Sequence, residues 1–370
     1  MTRLLQFFLT VAVLILVGRG TPLAGPQALA AQAIETRPGA VILLIADGAG
    51  VGHWTLASAA SQELAVQRMP VGGLIDTQGS DHEVTGSGPS ATALATGVRS
   101  FMGALGVGPD GLPRETVLEA AHARGWATGL VTTASIVDAT PAAFAAHVSS
   151  RSQTVEILRQ MTDLPVHVLL GGGSFVLEQA RQQGRGNLLR ALRDRYTTVP
   201  NAAALDRVIT DTTTTLLGFF ARGEMPRATE RSPSLADMTR AALSVLEHDP
   251  DGFFLMAENE GSDSYAHQNL PQAVITAEML GFDAAVGVAL EYQSRHPETL
   301  VVVTADHETG GIHLEGNSAR DIVLGYGTTS HSAALVPLFA MGPGAERLGG
   351  LKRNDEIGRA LIDLVRGPAR

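Results

Sequence analysis

The chain has 370 residues, no cysteine and a net charge of −10, with arginine supplying nearly all of its positive charge and Lys352 as the sole lysine. The absence of cysteine excludes disulfides, a thiolate nucleophile, cysteine-ligated zinc and a lipidated cysteine anchor. The acidic balance argues against a nucleic-acid partner, and any phosphate site must rely on arginine and metal ions. The length is enough for one large α/β domain with a substantial buried core, or two smaller ones.

At the N-terminus, Arg3, the apolar stretch from Leu4 to Val17 and the small residues ending at Ala28-Leu29-Ala30 have the layout of a cleavable secretory signal. The apolar core is shorter than the roughly 20 residues that span a bilayer. Cleavage is expected near Ala30, with Ala33 as the alternative. That leaves residues 31–370 as a single exported domain, periplasmic or secreted, with no stable membrane anchor.

Beyond the leader, short apolar runs end in polar or glycine residues: Val41–Ala46 before Asp47, Gly129–Thr133, Val166–Leu170, Phe253–Ala257 before Glu258, and Leu300–Thr304 before Asp306. Each is largely apolar throughout rather than alternating, as buried parallel strands are. Helical stretches are expected over Arg114–Arg124, Leu177–Arg195, Ser234–Glu247 and Pro271–Tyr292. This alternation predicts an α/β fold with a central, mostly parallel sheet and helices on both faces, a three-layer sandwich. Tyr196–Arg231 is less regular and reads as an excursion over the sheet. In such folds ligands bind beyond the carboxyl ends of the strands, the edge where Asp47, Glu258 and Asp306 fall.

Chemistry concentrates in a few places. Ser87 lies between Gly86 and Gly88, ahead of Pro89 and a small-residue stretch that suits a tightly packed helix, whose free N–H groups would face an anion. A Gly-Ser-Gly triplet alone is ordinary turn chemistry. Within Glu258–His267, Asp263 and His267 stand at i, i+4 and can share a metal on one helical face. Alone, that segment also fits a solvated acidic loop. Asp306 and His307 follow a buried strand and could bind one cation or merely cap the strand; His331 is a lone histidine that needs partners to be a ligand. Several carboxylates at one edge resist ionising together unless cations neutralise them. Mixed Asp/His sets suit zinc, and hydroxyl plus carboxylate oxygens suit magnesium. The glycines from Gly48 to Gly52 do not have dinucleotide-binding spacing, and Asp47 before them is better placed as a metal ligand.

Taken in order, these blocks resemble the alkaline phosphatase family from about Val41 to Gly344. They are Ile45–Gly48, the Ser87 helix, Asp138–Ala142 continuing to His147 and Arg151, Gly171–Gly173, Pro233–Thr239, Glu258–His267, Asp306–Gly311 and His331. The resemblance implies two zinc ions and one magnesium. Asp263, His267 and His331 would hold the first zinc, and Asp306, His307 and Asp47 the second. Asp47, Thr140 and Glu258 would form the magnesium site, with Asp138 nearby through water. Ser87 would be the nucleophile for small phosphate monoesters and Arg151 the clamp on phosphate, with Ser87 passing through a phosphoserine. Members are often homodimers, although no residue here demonstrates an interface. Alternatives within enzymes are a phosphodiesterase or sulfatase of the same superfamily; outside them, a non-catalytic phosphate- or metal-binding exported protein. One departure stands out: the family's aspartate before the nucleophile is Gly86 here. Arg151 is therefore expected to be less tethered, with weaker phosphate binding and faster product release.

Overall fold

The computed structural model describes residues 37–208, 214–316 and 321–367, all within one compact unit, Thr36–Arg370. The expected leader, residues 1–30, lies outside them. The strands in chain order are β1 (Ala40–Ala46), β2 (Val71–Asp76), β3 (Ala127–Ser135), β4 (Val168–Gly172), β5 (Thr197–Thr198), β6 (Leu216–Phe219) and β7 (Phe253–Asn259). They continue with β8 (Thr299–Thr304), β9 (Glu308–Thr309), β10 (His313–Glu315), β11 (Val323–Gly325), β12 (His331–Ser332), β13 (Val336–Met341) and β14 (Gly350–Arg353).

The main sheet runs β14-β2-β13-β8-β1-β7-β3-β4-β6-β5. Its pairings are parallel except for β13, which is antiparallel to both β2 and β8. At the centre, β1, β7, β3 and β8 are buried along their whole length, which is why their sequences are apolar on both faces. One set of helices links Leu235–Leu246 to Gln272–Arg295 and on to Val51–Ala60. The other links Ser87–Thr96 to Asn354–Arg366 and Ala139–Ala143. The α/β architecture is the one expected.

Local differences have local causes. The Arg114–Arg124 stretch narrows to a helix over Val117–Ala123, because Thr116 caps it, accepting from the Glu119 N–H while Glu119 accepts from the Thr116 N–H at 2.8 Å. Leu177–Arg195 is two helices, Phe175–Gln182 and Gly186–Arg195, separated at Gly184, whose φ of +70° ends the first. The Tyr196–Arg231 excursion contributes β5 and β6 to the edge of the main sheet, since the apolar run Leu216–Phe219 pairs in parallel with β4. The last two strands at one end of the sheet, β2 and β14, are only partly buried, and β2 holds Gly72-Gly73, so neither has the pattern of the central strands.

The Ser87–Thr96 helix is buried at every position. Its small side chains admit the Asn354–Arg366 helix so closely that a Cβ on Gly358 would lie 2.1 Å from the Ala93 carbonyl oxygen. Nearer its start, Ser90 Oγ donates to the Asp306 carbonyl at 2.6 Å, which holds the Ser87 end of the helix against the carboxyl edge of the sheet.

Candidate functional site

Asp47 leaves the end of β1, Glu258 lies near the end of β7, and Asp306 and His307 follow β8, so three adjacent central strands deliver ligands to one edge. Asp263 and His267 come from the short Gly261–His267 helix just after β7. His331 arrives on β12, which pairs with β9 and sets His331 opposite Thr309. The turn after Asp47 depends on Gly48: its φ is +70°, and a Cβ there would fall 2.7 Å from Thr309 Oγ1 and 2.9 Å from Asp263 Oδ1. Gly52 instead packs on the Ile312 carbonyl, 2.3 Å from where its Cβ would be, so the glycines after β1 serve backbone packing.

Three groups of candidate ligands result: Asp263, His267 and His331; Asp47, Asp306 and His307; and Asp47, Glu258 and Glu260. In the first, His267 Nε2 and His331 Nε2 face each other at 3.0 Å, with Asp263 Oδ1 at 3.4 and 3.5 Å from them. Their Nδ1 atoms sit 2.7 Å from the carbonyl oxygens of Thr329 and Thr85. A carbonyl there requires Nδ1–H to donate, so a neutral ring turns its Nε2 lone pair toward Asp263, whereas a protonated His331 donates Nε2–H to it. Thr309 Oγ1 donates to Asp263 Oδ1.

In the second group, His307 Nε2 is 3.4 Å from both Asp47 Oδ1 and Asp306 Oδ2. Asp306 Oδ1 accepts from the N–H groups of Gly48 and His307 at 3.2 and 3.0 Å. The other Asp306 oxygen, Asp47 Oδ1 and Thr140 Oγ1 are buried without a hydrogen-bond partner. Buried polar atoms are normally satisfied, so these orphaned oxygens, gathered with imidazole nitrogens, fit bound cations. The His307 and His331 rings stack with centroids 3.7 Å apart, making the first two groups contiguous. Ser87 Oγ lies 3.3 Å from His307 Nε2, at the mouth of this pair.

Burial governs the charges. It pushes Asp47 and Glu260 well above the ordinary carboxylate range, with nearby carboxylates adding to the effect. Glu258 is pushed up to about 8 by burial, against a 2.5 Å hydrogen bond from Thr132. At Asp263 burial is outweighed by the His331 hydrogen bond, the His307 charge and Thr309, which hold it at about 2. Buried His307 and His53 are shifted down, the latter to about 4.

These directions predict a pH effect on the metal-free protein. Between pH 6.5 and about 8 the folded chain keeps protons on Glu258 and its neighbours that the unfolded chain has released, so stability falls as pH rises through that window. The depressed histidines oppose this only in roughly the first unit above pH 6.5, where their unfolded rings still release protons. Thermal melts of EDTA-treated protein should show a lower Tm at pH 8.5 than at 6.5, with zinc and magnesium reversing the loss. A Tm that is flat or climbs in the metal-free protein contradicts this.

Arg151 corrects an expectation. It is not loose in the absence of an aspartate at position 86: its Nη2 donates to Asp138 Oδ1 at 2.5 Å, and its backbone N–H donates to the Gly103 carbonyl at 2.8 Å. The tether comes from Asp138, the residue just before the short Ala139–Ala143 helix. A Cβ built at residue 86 would lie 3.2 Å from the sulfur of Met102, so a larger side chain there would have to displace that exposed methionine. His147, in contrast, is held by the Gly106 carbonyl and Glu119 at 2.7 and 2.9 Å, away from the site. Sequence reasoning did not assign roles to Glu260, Thr132 or Thr309. Glu260 could have been found from its place two residues after Glu258; the threonines give no signal before folding.

Such an arrangement defines a class: α/β proteins that collect divalent cations around a serine hydroxyl at the carboxyl edge of a parallel sheet. A sequence model of the alkaline phosphatase family matches residues 39–324, and the chain belongs to that family. It is similar to the alkaline phosphatase of Escherichia coli (32% identical, covering 86% of this chain and 84% of the relative) and to streptomycin-6-phosphate phosphatase of Streptomyces griseus (33%, 86% and 88%). It also resembles the repressible alkaline phosphatase of Saccharomyces cerevisiae (34%), although the match spans 78% of this chain and only 58% of that protein. Among solved structures, alkaline phosphatase from the Antarctic bacterium TAB5 superposes with a TM-score of 0.82 at 30% identity, over 89% of this chain and 99% of the other.

Proposed function

We propose that the chain is an exported phosphate monoester hydrolase that works through a phosphoserine at Ser87. The position of Ser87 carries this reading: its hydroxyl starts a buried helix 3.3 Å from His307, between two contiguous Asp/His groups. The donor sets support two zinc ions, one held by Asp263, His267 and His331 and one by Asp47, Asp306 and His307. The oxygen donors Asp47, Thr140 and Glu258 suit magnesium. When bound, these cations lower the pKa of hydroxyl and water and offset charge on a departing oxygen. The export reading rests on the leader at residues 1–30.

Ser87 Oγ gives up its proton and attacks phosphorus in line, so that the Oγ–P bond forms as the ester P–O bond breaks and the alcohol leaves. Water then attacks the phosphoserine, the Oγ–P bond breaks, the serine regains its proton and inorganic phosphate departs. The Ser87–Thr96 helix directs its first N–H groups toward the anion. Arg151 commits one N–H to Asp138 and retains others for two phosphate oxygens. Contacts to phosphate oxygens demand little of the alcohol, which supports small monoesters generally as substrates. Rates on nitrophenyl phosphate, bis-nitrophenyl phosphate and nitrophenyl sulfate test the class; a preference for the diester or sulfate contradicts it.

The Asp138 tether has its own consequence. Asp138→Asn should weaken inhibition by inorganic phosphate about three- to tenfold, the range for a charge-assisted contact discounted for its partial exposure. Unchanged inhibition in that variant would show that Arg151 needs no such support.

A further inference from the structure

We propose that Glu260 is a direct ligand of the third cation, turning a site of two carboxylates and a hydroxyl into one of three carboxylates and a hydroxyl. This rests on the metal reading above and extends it to a residue outside the expected ligand set. Glu260 is more than nine-tenths buried, and a carboxylate oxygen on each of Asp47, Glu258 and Glu260 lies within 4.8 Å of the others. Independently of this acidic grouping, the buried Thr140 hydroxyl and Asp47 Oδ1 at the same end of the sheet have no hydrogen-bond partner. Oxygens left in that state, beside three carboxylates, suit a hard divalent cation.

Glu260 is also held in place. Its backbone N–H donates to Thr133 Oγ1 at 2.9 Å on β3, and Ser264 Oγ donates to its Oε1 at 3.0 Å. The cationic side chain in the neighbourhood, Arg151, is bonded to Asp138 and does not hydrogen-bond Glu260. Each added carboxylate raises the affinity of an oxygen-lined site for a dication, so this site should bind magnesium more tightly than its expected ligands alone would.

The test is calorimetric titration of magnesium into the zinc-loaded protein, with zinc content measured on each sample. Wild type should bind one magnesium; Glu260→Gln should keep its zinc and bind magnesium at least about tenfold more weakly, the scale of losing one group from a metal's surroundings. Glu260→Asp retains the charge on a shorter arm and should fall between them, which covers the case in which the glutamine variant does not fold. Magnesium affinity unchanged in either variant overturns the role of Glu260 while leaving the third site standing. A zinc-loaded wild type that binds no magnesium overturns both.

Discussion

Removing the divalent cations should lower turnover of a phosphate monoester by about 10³-fold or more, because metal activation of the serine and of water is lost together. The proposed function makes this dependence strict. His307 is the histidine beside Ser87, but the same Nε2 faces Asp47 and Asp306, and under the proposed function its lone pair is given to a cation and cannot take the serine proton. Under that reading the hydroxyl depends on a cation to lower its pKa. Rates on nitrophenyl phosphate after exhaustive chelation, with metal analysis of the same samples, check the prediction. Restoring zinc and magnesium should recover the rate; undiminished turnover in verified metal-free protein contradicts it.

Ser87→Ala should lower kcat about 10²–10³-fold while leaving the metals bound, since a covalent route is lost but cation-activated water can still reach phosphorus slowly. The substitution should spare the fold. Ser87 Oγ has its hydrogen bond with His307 Nε2, and the helix is held by its packing on Asn354–Arg366, not by this hydroxyl. Metal content equal to wild type with turnover down by that factor is the expected result. Turnover equal to wild type would remove Ser87 from the reaction.

Much of this was legible before folding because buried parallel strands have a simple signature. The runs ending at Asp47, Glu258 and Asp306 are largely apolar without alternation, and they become β1, β7 and β8, neighbours at the centre of the sheet. Strand ends carrying acidic residues therefore pointed to the right edge. The strands β2 and β14 at one end of the sheet were hidden, because one carries paired glycines and neither is buried on both faces. Side-chain partners were hidden for a different reason. That Asp138 holds Arg151, that Thr132 bonds Glu258, and that Met102 lies beside Gly86 depend on chain approaches no spacing rule encodes. Gly86 illustrates the limit: its missing carboxylate was visible, but the replacement tether thirteen residues before Arg151 was not.

The account turns on whether Ser87 itself carries phosphate during turnover. Zinc- and magnesium-loaded protein reacting with nitrophenyl phosphate should be quenched in acid, digested and analysed by mass spectrometry. The account predicts one added phosphoryl group on the peptide containing Ser87, assigned by fragmentation to that serine and absent from the Ser87→Ala protein. Steady turnover with that peptide unmodified, or a phosphoryl group on another residue, would contradict it.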